Sequence, residues 1–372
     1  MRLVPTGGRT TDHQRAGRPV RALASMTALA AGLLTIAGCQ TSSSSTSAPT
    51  FSGSNNVIRV AETPGVGDAP LFLAFQQGLF RKAGLQVNIK NYATTRDELT
   101  ALRAGAADVA FGDYADMFYA QALSQVQAKG HNAKGSLNLV IVADGYDAVA
   151  NTMEVLALPP GRGGPAIVTP QDLAGKTVGT AAAQVMPSNV PRQPALPYSL
   201  DTVATQSVLQ NDNVTPASIS WRPLPPGAPQ SLLLQELATH KVNAILATEP
   251  TIFEAESQLG AVPVLDSCTG STANLPLDGY FTTHTFASAQ QAKLTAFRNV
   301  LLRAQTLANS QSAPVRNTLE GSEGMSVQDA SLLTIGQYPT TVSVNDLQRV
   351  ISLMFFFNAI PVQPSVKAMI FH

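Results

Sequence analysis

Nine residues of this chain stand where a loop leaves a strand and could serve a ligand through side chain or backbone: Glu62, Thr63, Gly67, Asp68, Asp113, Tyr114, Thr180, Ser199 and Glu249. Four of them are carboxylates, which accept hydrogen bonds and repel anions. Carboxylates gathered around one mouth favour a ligand with N–H donors or positive charge, such as an aminopyrimidine or an amine. Tyr114 offers a flat ring for a heterocycle to stack on. Gly65 and Gly67 in the run Glu62–Asp68 let backbone approach a ligand closely, but the spacing is not GxGxxG and supports no nucleotide site. Each candidate also has a structural reading. Asp113 or Asp116 caps the helix that follows, and Ser199 caps another. Glu249-Pro250 starts a helix in which Thr251-x-x-Glu254 forms a capping box. Glu62–Asp68 is an ordinary turn.

The elements that hold these residues follow from periodicity. Val57–Ala61 reads as a strand, and Ala69–Gly84 as a helix turning Leu71, Phe72, Phe75 and Leu79 inward. A second strand then alternates, with Leu85, Val87 and Ile89 on one side and Gln86, Asn88 and Lys90 on the other. Strand, Gly/Pro-rich loop, helix and strand make a βαβ unit, whose loops open at the carboxyl edge of a parallel sheet. Arg96–Arg103 is an amphipathic helix, Asp108–Gly112 a short buried strand, Asp113–Ala128 a helix, and Leu137–Ala143 another strand. From Met153 the pattern begins again, with strands at Thr177–Ala181, Ile219–Arg222 and Asn243–Thr248 separated by helices. Gly279–Thr283 is a returning strand. The rest is helical, ending in Val344–Phe357, where Leu347, Val350, Ile351, Met354 and Phe355 share a face. Four loops face a common cleft on this layout: Glu62–Pro70, Gly112–Asp116, Ala181–Ser199 and Thr248–Thr251.

Four motifs in order carry a resemblance. Pro70, Ala74, Gly78, Phe80, Gly84, Leu85 and Val87 form the first, and Gly105, Asp108, Val109, Ala110 and Gly112 the second. Asp172-Leu173-Ala174-Gly175-Lys176-Thr177-Val178-Gly179 is the third. Lys241–Pro250 is the fourth, departing from the pattern at His240 and Asn243, where Gly and Asp are usual. Together they resemble the solute-binding proteins of ABC importers that take nitrate, sulfonates and taurine, or pyrimidine precursors of thiamine. The resemblance covers roughly residues 57–360. It implies a type II periplasmic-binding-protein fold, α/β, with two lobes around a ligand cleft and two interlobe crossings. Lobe I would take residues 57–152 and 277–372, and lobe II residues 153–276. It also implies a monomer that hands a small-molecule ligand to an ABC permease and its ATPase. Members that take sulfonates or nitrate usually carry small Gly, Ser or Thr residues where this chain has Asp113-Tyr114-Ala115-Asp116.

Composition bounds the alternatives. The 372 residues carry 24 basic and 24 acidic side chains; five of the former and one of the latter fall in 1–38, leaving 19 and 23, a net of −4. A mildly acidic body without a basic tract argues against a nucleic-acid partner. Residues 1–38 read as a signal peptide: arginines, then the apolar run Ala22–Ala37, then Ile36-Ala37-Gly38-Cys39. That run is shorter than the ~20 residues that span a bilayer. The ending resembles a bacterial lipobox, which would make Cys39 the lipidated first residue and place the protein outside the cytoplasmic membrane on a lipid anchor. Residues 39–56, Ser-rich and uncharged, would be a flexible tether reaching roughly 20–25 Å.

Cys268 then has no disulfide partner and reads as a buried structural thiol, with a nucleophile as the alternative. HExxH, GxSxG, Walker A and metal-spaced Cys/His clusters are missing from the sequence, so no catalytic residue, cofactor or metal is expected. Enzymes related to this family use a Cys-rich run or a cysteine in a first-lobe loop, and neither occurs here. The expected function is capture of a small solute, a nitrogen heterocycle or an amine. The alternatives are a nitrate, alkanesulfonate or taurine binder, and an enzyme or membrane-tethered sensor on the same fold.

Overall fold

In the computed structural model of the chain, residues 56–129, 137–162, 165–181, 198–225, 228–322 and 325–372 are described. All of them fall in one compact unit, Ala48–His372. Cys39, the leader and all of the tether but Asn56 lie outside the described residues, as does most of the loop expected at Ala181–Ser199.

Among the described residues ten strands follow in chain order: β1 (Val57–Glu62), β2 (Gln86–Asn91), β3 (Val109–Asp113), β4 (Leu139–Asp147), β5 (Met153–Ala157), β6 (Thr177–Thr180), β7 (Ser220–Pro223), β8 (Ala244–Thr248), β9 (Val262–Asp266) and β10 (Pro276–Thr283). They make two five-stranded sheets, β2-β1-β3-β10-β4 and β7-β6-β8-β5-β9. In the first, β1 is parallel to β2 and β3, while β10 lies antiparallel between β3 and β4. The second repeats the plan: β6 is parallel to β7 and β8, and β5 is antiparallel to β8 and β9. The chain therefore passes between the sheets twice, from β4 to β5 and from β9 to β10. This is a mixed α/β fold of two lobes.

Among the helices are α1 (Ala69–Gln76), α2 (Leu79–Lys82), α3 (Thr95–Arg103), α4 (Tyr114–Lys129), α5 (Leu200–Asn211), α6 (Ser231–Ala238), α7 (Thr251–Leu259), α8 (His284–Ala289), α9 (Gln291–Ser310), α10 (Ser312–Ser322), α11 (Val327–Ala330), α12 (Val344–Phe356) and α13 (Val366–Met369). The single helix expected over 69–84 is two. Gly78 takes φ 64°, a left-handed conformation that costs glycine little and breaks the rod. The break changes which face is inside. Ala69, Pro70, Leu71, Leu73 and Ala74 are buried, and Phe75, expected in the core, is 49% exposed. The strand that follows behaves as its alternation predicts, with Leu85 and Val87 buried.

Helix α12 ties the lobes together. Leu347, Val350, Ile351 and Met354 sink into a cluster that contains Phe118 of α4 and Val203 and Leu209 of α5, and α12 packs against both helices. Burying such aliphatic side chains stabilises by about 1.5–3 kcal/mol each, so much of the interlobe contact rests on one helix. Phe355, expected on that face, points outward and is 43% exposed. Among the described residues no helix is long and apolar enough to cross a membrane.

Candidate functional site

The candidate residues of the first sheet stand at the ends of β1 and β3, where its parallel strands deliver their loops. Glu62 ends β1 and is fully buried, as is Asp68, which precedes α1. Asp68 holds the N-cap position of that helix. Between them the chain turns tightly at Val66–Asp68. Gly67 is required there by crowding: a Cβ on it would stand 2.8 Å from Asp278 Oδ2, 3.1 Å from Tyr146 Cβ and 3.2 Å from Phe111 Cζ. Thr63 donates from Oγ1 to Glu98 Oε1 at 2.6 Å.

Glu98 belongs to α3, a helix whose start is fixed by Thr94, with Oγ1 accepting from the Asp97 amide at 3.2 Å. It lies on the face that also buries Thr95, Leu99, Ala101 and Leu102. Thr95 Oγ1 accepts from the Asp113 amide at 3.2 Å, which locks α3 to the end of β3. Asp113 turns its Oδ1 onto the first turn of α4, accepting from the amides of Ala115 and Asp116. The capping reading of Asp113 is therefore realised. Asp278 of β10 stands directly opposite it in the antiparallel register.

From the other lobe, Ser199 starts α5 with a capping box: Thr202 Oγ1 accepts from the Ser199 amide at 2.9 Å. The Ser199 hydroxyl donates to Asp201, whose Oδ1 also accepts from the Thr202 amide at 2.8 Å. Asp201 acts electrostatically on Asp113, so a carboxylate of lobe II is presented to a carboxylate of lobe I. Thr180 ends β6 fully buried, its hydroxyl donating to the carbonyl of Ala181 at 3.0 Å.

Two candidates stand elsewhere. Tyr114, expected to stack on a ligand, is fully buried beneath the mouth. Its ring stacks on Phe118 at 5.3 Å and meets the edge of Phe281 at 5.3 Å, and its hydroxyl donates to Asp144 Oδ1 at 2.8 Å. The first residue of α4 points into the core because the helix buries that face, leaving no ring surface for a ligand. Glu249 uses both oxygens on backbone: Oε1 accepts from Thr334 at 3.0 Å and Oε2 from Phe253 at 3.1 Å. It starts α7 and fastens the end of β8 to the segment after α11. Thr251, expected to form a capping box with Glu254, instead donates to Gln230 Oε1 at 2.7 Å.

Three carboxylates of the site escape a reading by loops: Glu98, Asp278 and Asp201. Glu98 had a signal, an acid in the apolar stripe of an amphipathic helix, one turn from Leu102. Asp278 is an acid inside an otherwise apolar strand. Asp201 is hidden behind the capping sequence that begins at Ser199.

Burial dominates the electrostatics. It raises Glu98 well above the usual carboxylate range, against the Thr63 hydrogen bond and with help from Glu62, Asp278 and Asp116. Burial also raises Asp113, with Asp116, Asp278 and Asp201 adding to it. Asp278 is pushed up to about 7 by burial, and Asp116 to about 6 by burial against the pull of Arg96. Among the described residues no three His, Cys, Asp or Glu side chains stand together so as to hold a metal ion. Cys268 is buried beside Thr152, its Sγ 3.6 Å from Oγ1, and burial pushes its thiol up to about 12. Such a thiol carries almost no thiolate at neutral pH and is a poor nucleophile. A cavity of about 640 Å³ opens among Asp147, Asn309, Arg316, Gln337 and Tyr338, and shares no lining residue with the acidic group.

Comparison with known proteins agrees with this architecture. The model of a family described as NMT1/THI5 like matches residues 67–192. The periplasmic aliphatic sulphonate binding protein SsuA of Escherichia coli superposes with a TM-score of 0.64 at 16% identity, over 85% of this chain and 97% of that one. The alkanesulfonate-binding protein SsuA of Xanthomonas axonopodis pv. citri, bound to MOPS, gives 0.63 at 15% identity over 85% and 98%. The periplasmic nitrate-binding protein NrtA of Synechocystis PCC 6803 gives 0.61 at 12% identity over 84% of each. No curated protein matches the chain in sequence. The fold is that of the periplasmic binding proteins. The family model and these structures fall in the group that the four motifs resemble.

Proposed function

We propose that this chain is the extracytoplasmic solute-binding component of an ABC importer, held to the membrane by a lipid on Cys39. The mature body would comprise lobe I, residues 57–152 and 277–372, and lobe II, residues 153–276. It captures a small nitrogenous solute, an aminopyrimidine-like heterocycle or an amine, between the lobes and presents the closed form to a permease. A ligand touching both lobes has higher affinity for the closed form and shifts the equilibrium toward it. Glu62, Thr63, Gly67, Asp68, Asp113 and Ser199 are retained as candidates at the mouth, with Thr180 at the end of β6.

The observation that carries the solute class is the pairing of Asp113 with Asp278 across β3 and β10, with Asp201 of α5 near enough to add to the upward push on Asp113. An enzyme on this scaffold is the weaker reading, because Cys268 is buried with its pKa raised. A sulfonate or nitrate ligand is supported by the names of the similar structures, but such an anion would lose water beside several carboxylates. Calorimetric titration with thiamine pyrimidine precursors, polyamines, taurine, alkanesulfonates and nitrate tests the proposal. Saturable binding of a nitrogenous solute is expected. Turnover of a bound compound, or no binding at all, would overturn it.

A further inference from the structure

We infer that the solute is an organic cation with at least two N–H donors, held by Glu98, Asp113 and Asp278 of lobe I and by Asp201 of lobe II, and that its charge is what permits the lobes to close. This rests on the solute-binding reading above and narrows it from nitrogenous solutes in general to charged ones.

The first ground is the charge collected in one place. Glu62, Asp68, Glu98, Asp113, Asp116 and Asp278 come from separate segments of lobe I, and the fields of several of them overlap at Glu98, Asp113 and Tyr280. Arg96, which acts on Asp116, is exposed. Burial makes these acids reluctant to ionise while the site is empty; an entering cation would draw them into the ionised form, and an anion would oppose it.

The second ground is independent of charge counting. Among the described residues, two fully buried polar atoms in this group have no hydrogen-bond partner: Glu98 Oε2 and the hydroxyl of Tyr280. Glu98 has its other oxygen fixed by Thr63, so Oε2 is held in one orientation without a partner of its own. It lies against the end of β3, where a Cβ on Gly112 would be 2.5 Å away. The Tyr280 hydroxyl lies in the field of Asp68, Glu62 and Asp278. A buried carboxylate oxygen without a donor is costly, and an N–H group from a ligand removes the cost.

The third ground is that the acids are held in place. Asp113 is tied to the α4 amides and Asp201 to the Thr202 amide. Neither can swing far from the other as the lobes approach. Closure alone buries acid against acid and makes each harder to ionise, and closure around a cation lets them ionise against its charge. Asp201 is therefore both a ligand contact and the residue that makes closure depend on the ligand. A molecular cation fits better than a metal ion, since these carboxylates do not converge as a metal-binding set.

Titration of the whole chain at pH 7.5 or so with agmatine, putrescine, tetramethylammonium, methanesulfonate and nitrate separates the cases, with small-angle scattering reporting closure. Agmatine or putrescine is expected to bind and contract the protein. Tetramethylammonium, which lacks N–H donors, is expected to bind at least roughly tenfold more weakly. Glu98→Gln should weaken the cation roughly tenfold or more, and Asp201→Asn should also populate the contracted form without ligand. Since Glu98→Gln removes a buried group, its far-UV circular dichroism is compared with wild type, and Asp201→Asn provides the second readout. Binding of methanesulfonate or nitrate alone overturns the inference and leaves solute capture standing. Cation affinity unchanged in both variants also overturns it. Binding of none of these, nor of any solute in the wider panel, overturns the solute-binding reading itself.

Discussion

Asp113 and Asp278 face each other across the antiparallel pair β3–β10, one ending its strand and the other near the start of its own. Like charges directly opposed on neighbouring strands destabilise a sheet, and here both side chains have raised pKa values, mainly from burial. The pair is a cost to the empty protein.

The first expectation concerns pH. Asp278 has a folded pKa of about 7, against about 3.9 for an unfolded aspartate. Between those values the folded state binds more protons than the unfolded one. The stability contributed by the protonated form is complete below the unfolded pKa and is lost as pH rises through 7. Thermal unfolding of the ligand-free protein should therefore shift to lower temperature between pH 5 and 8 or so. Asp278→Asn should flatten that decline; an unchanged slope would show that the carboxylate titrates as it does in the unfolded chain.

Gly67→Ala is expected to damage both the fold and the mouth. The added methyl meets Asp278 Oδ2 and the side chains of Tyr146 and Phe111 inside normal contact distance. Overpacking of this kind costs about 1–3 kcal/mol, read as a lower urea midpoint. Because Asp278 is displaced, affinity for the solute should fall as well.

Glu249→Ala should loosen a join rather than remove a ligand contact. Its two oxygens accept from the amides of Thr334 and Phe253, and leaving such groups without partners costs about 1–3 kcal/mol each. Hydrogen exchange should speed up at those two amides, while the Asp113 amide keeps its protection.

Tyr114→Phe distinguishes a core ring from a binding ring. The hydroxyl contributes one buried hydrogen bond to Asp144, so the variant should lose about 1 kcal/mol of stability. Solute affinity should stay at the wild-type value. A loss of affinity without a loss of stability would place the ring at the ligand after all.

Much of the architecture was legible in the linear order of residues. Alternation marked β1 and β2, and the stripe Leu347, Val350, Ile351 and Met354 marked α12, because burial on one face imposes a period that survives in the chain. The motifs from Pro70 to Val87 and from Lys241 to Pro250 marked the family likeness. Loop acids such as Asp113 were legible as caps, because that chemistry is local to three or four residues. Phe75 and Phe355 were misread for a matching reason: periodicity says that a helix has an inner face, but a break at Gly78 or the last turn of α12 changes where the face ends.

What the chain order left open was which acids would meet. Glu98, Asp278 and Asp201 are far apart in sequence, and each carries its own local explanation. Their proximity comes from inserting the returning strand β10 beside β3 and from presenting the start of α5 to the end of β3. The direction of Tyr114 was decided in the same way, by packing against Phe118 and Phe281. Sequence by itself determined most of the elements and local caps such as Asp113 and Ser199, since those depend on neighbours along the chain. Tertiary structure alone decided the composition of the mouth, since electrostatic contact depends on distance in space, set by strand order and helix packing.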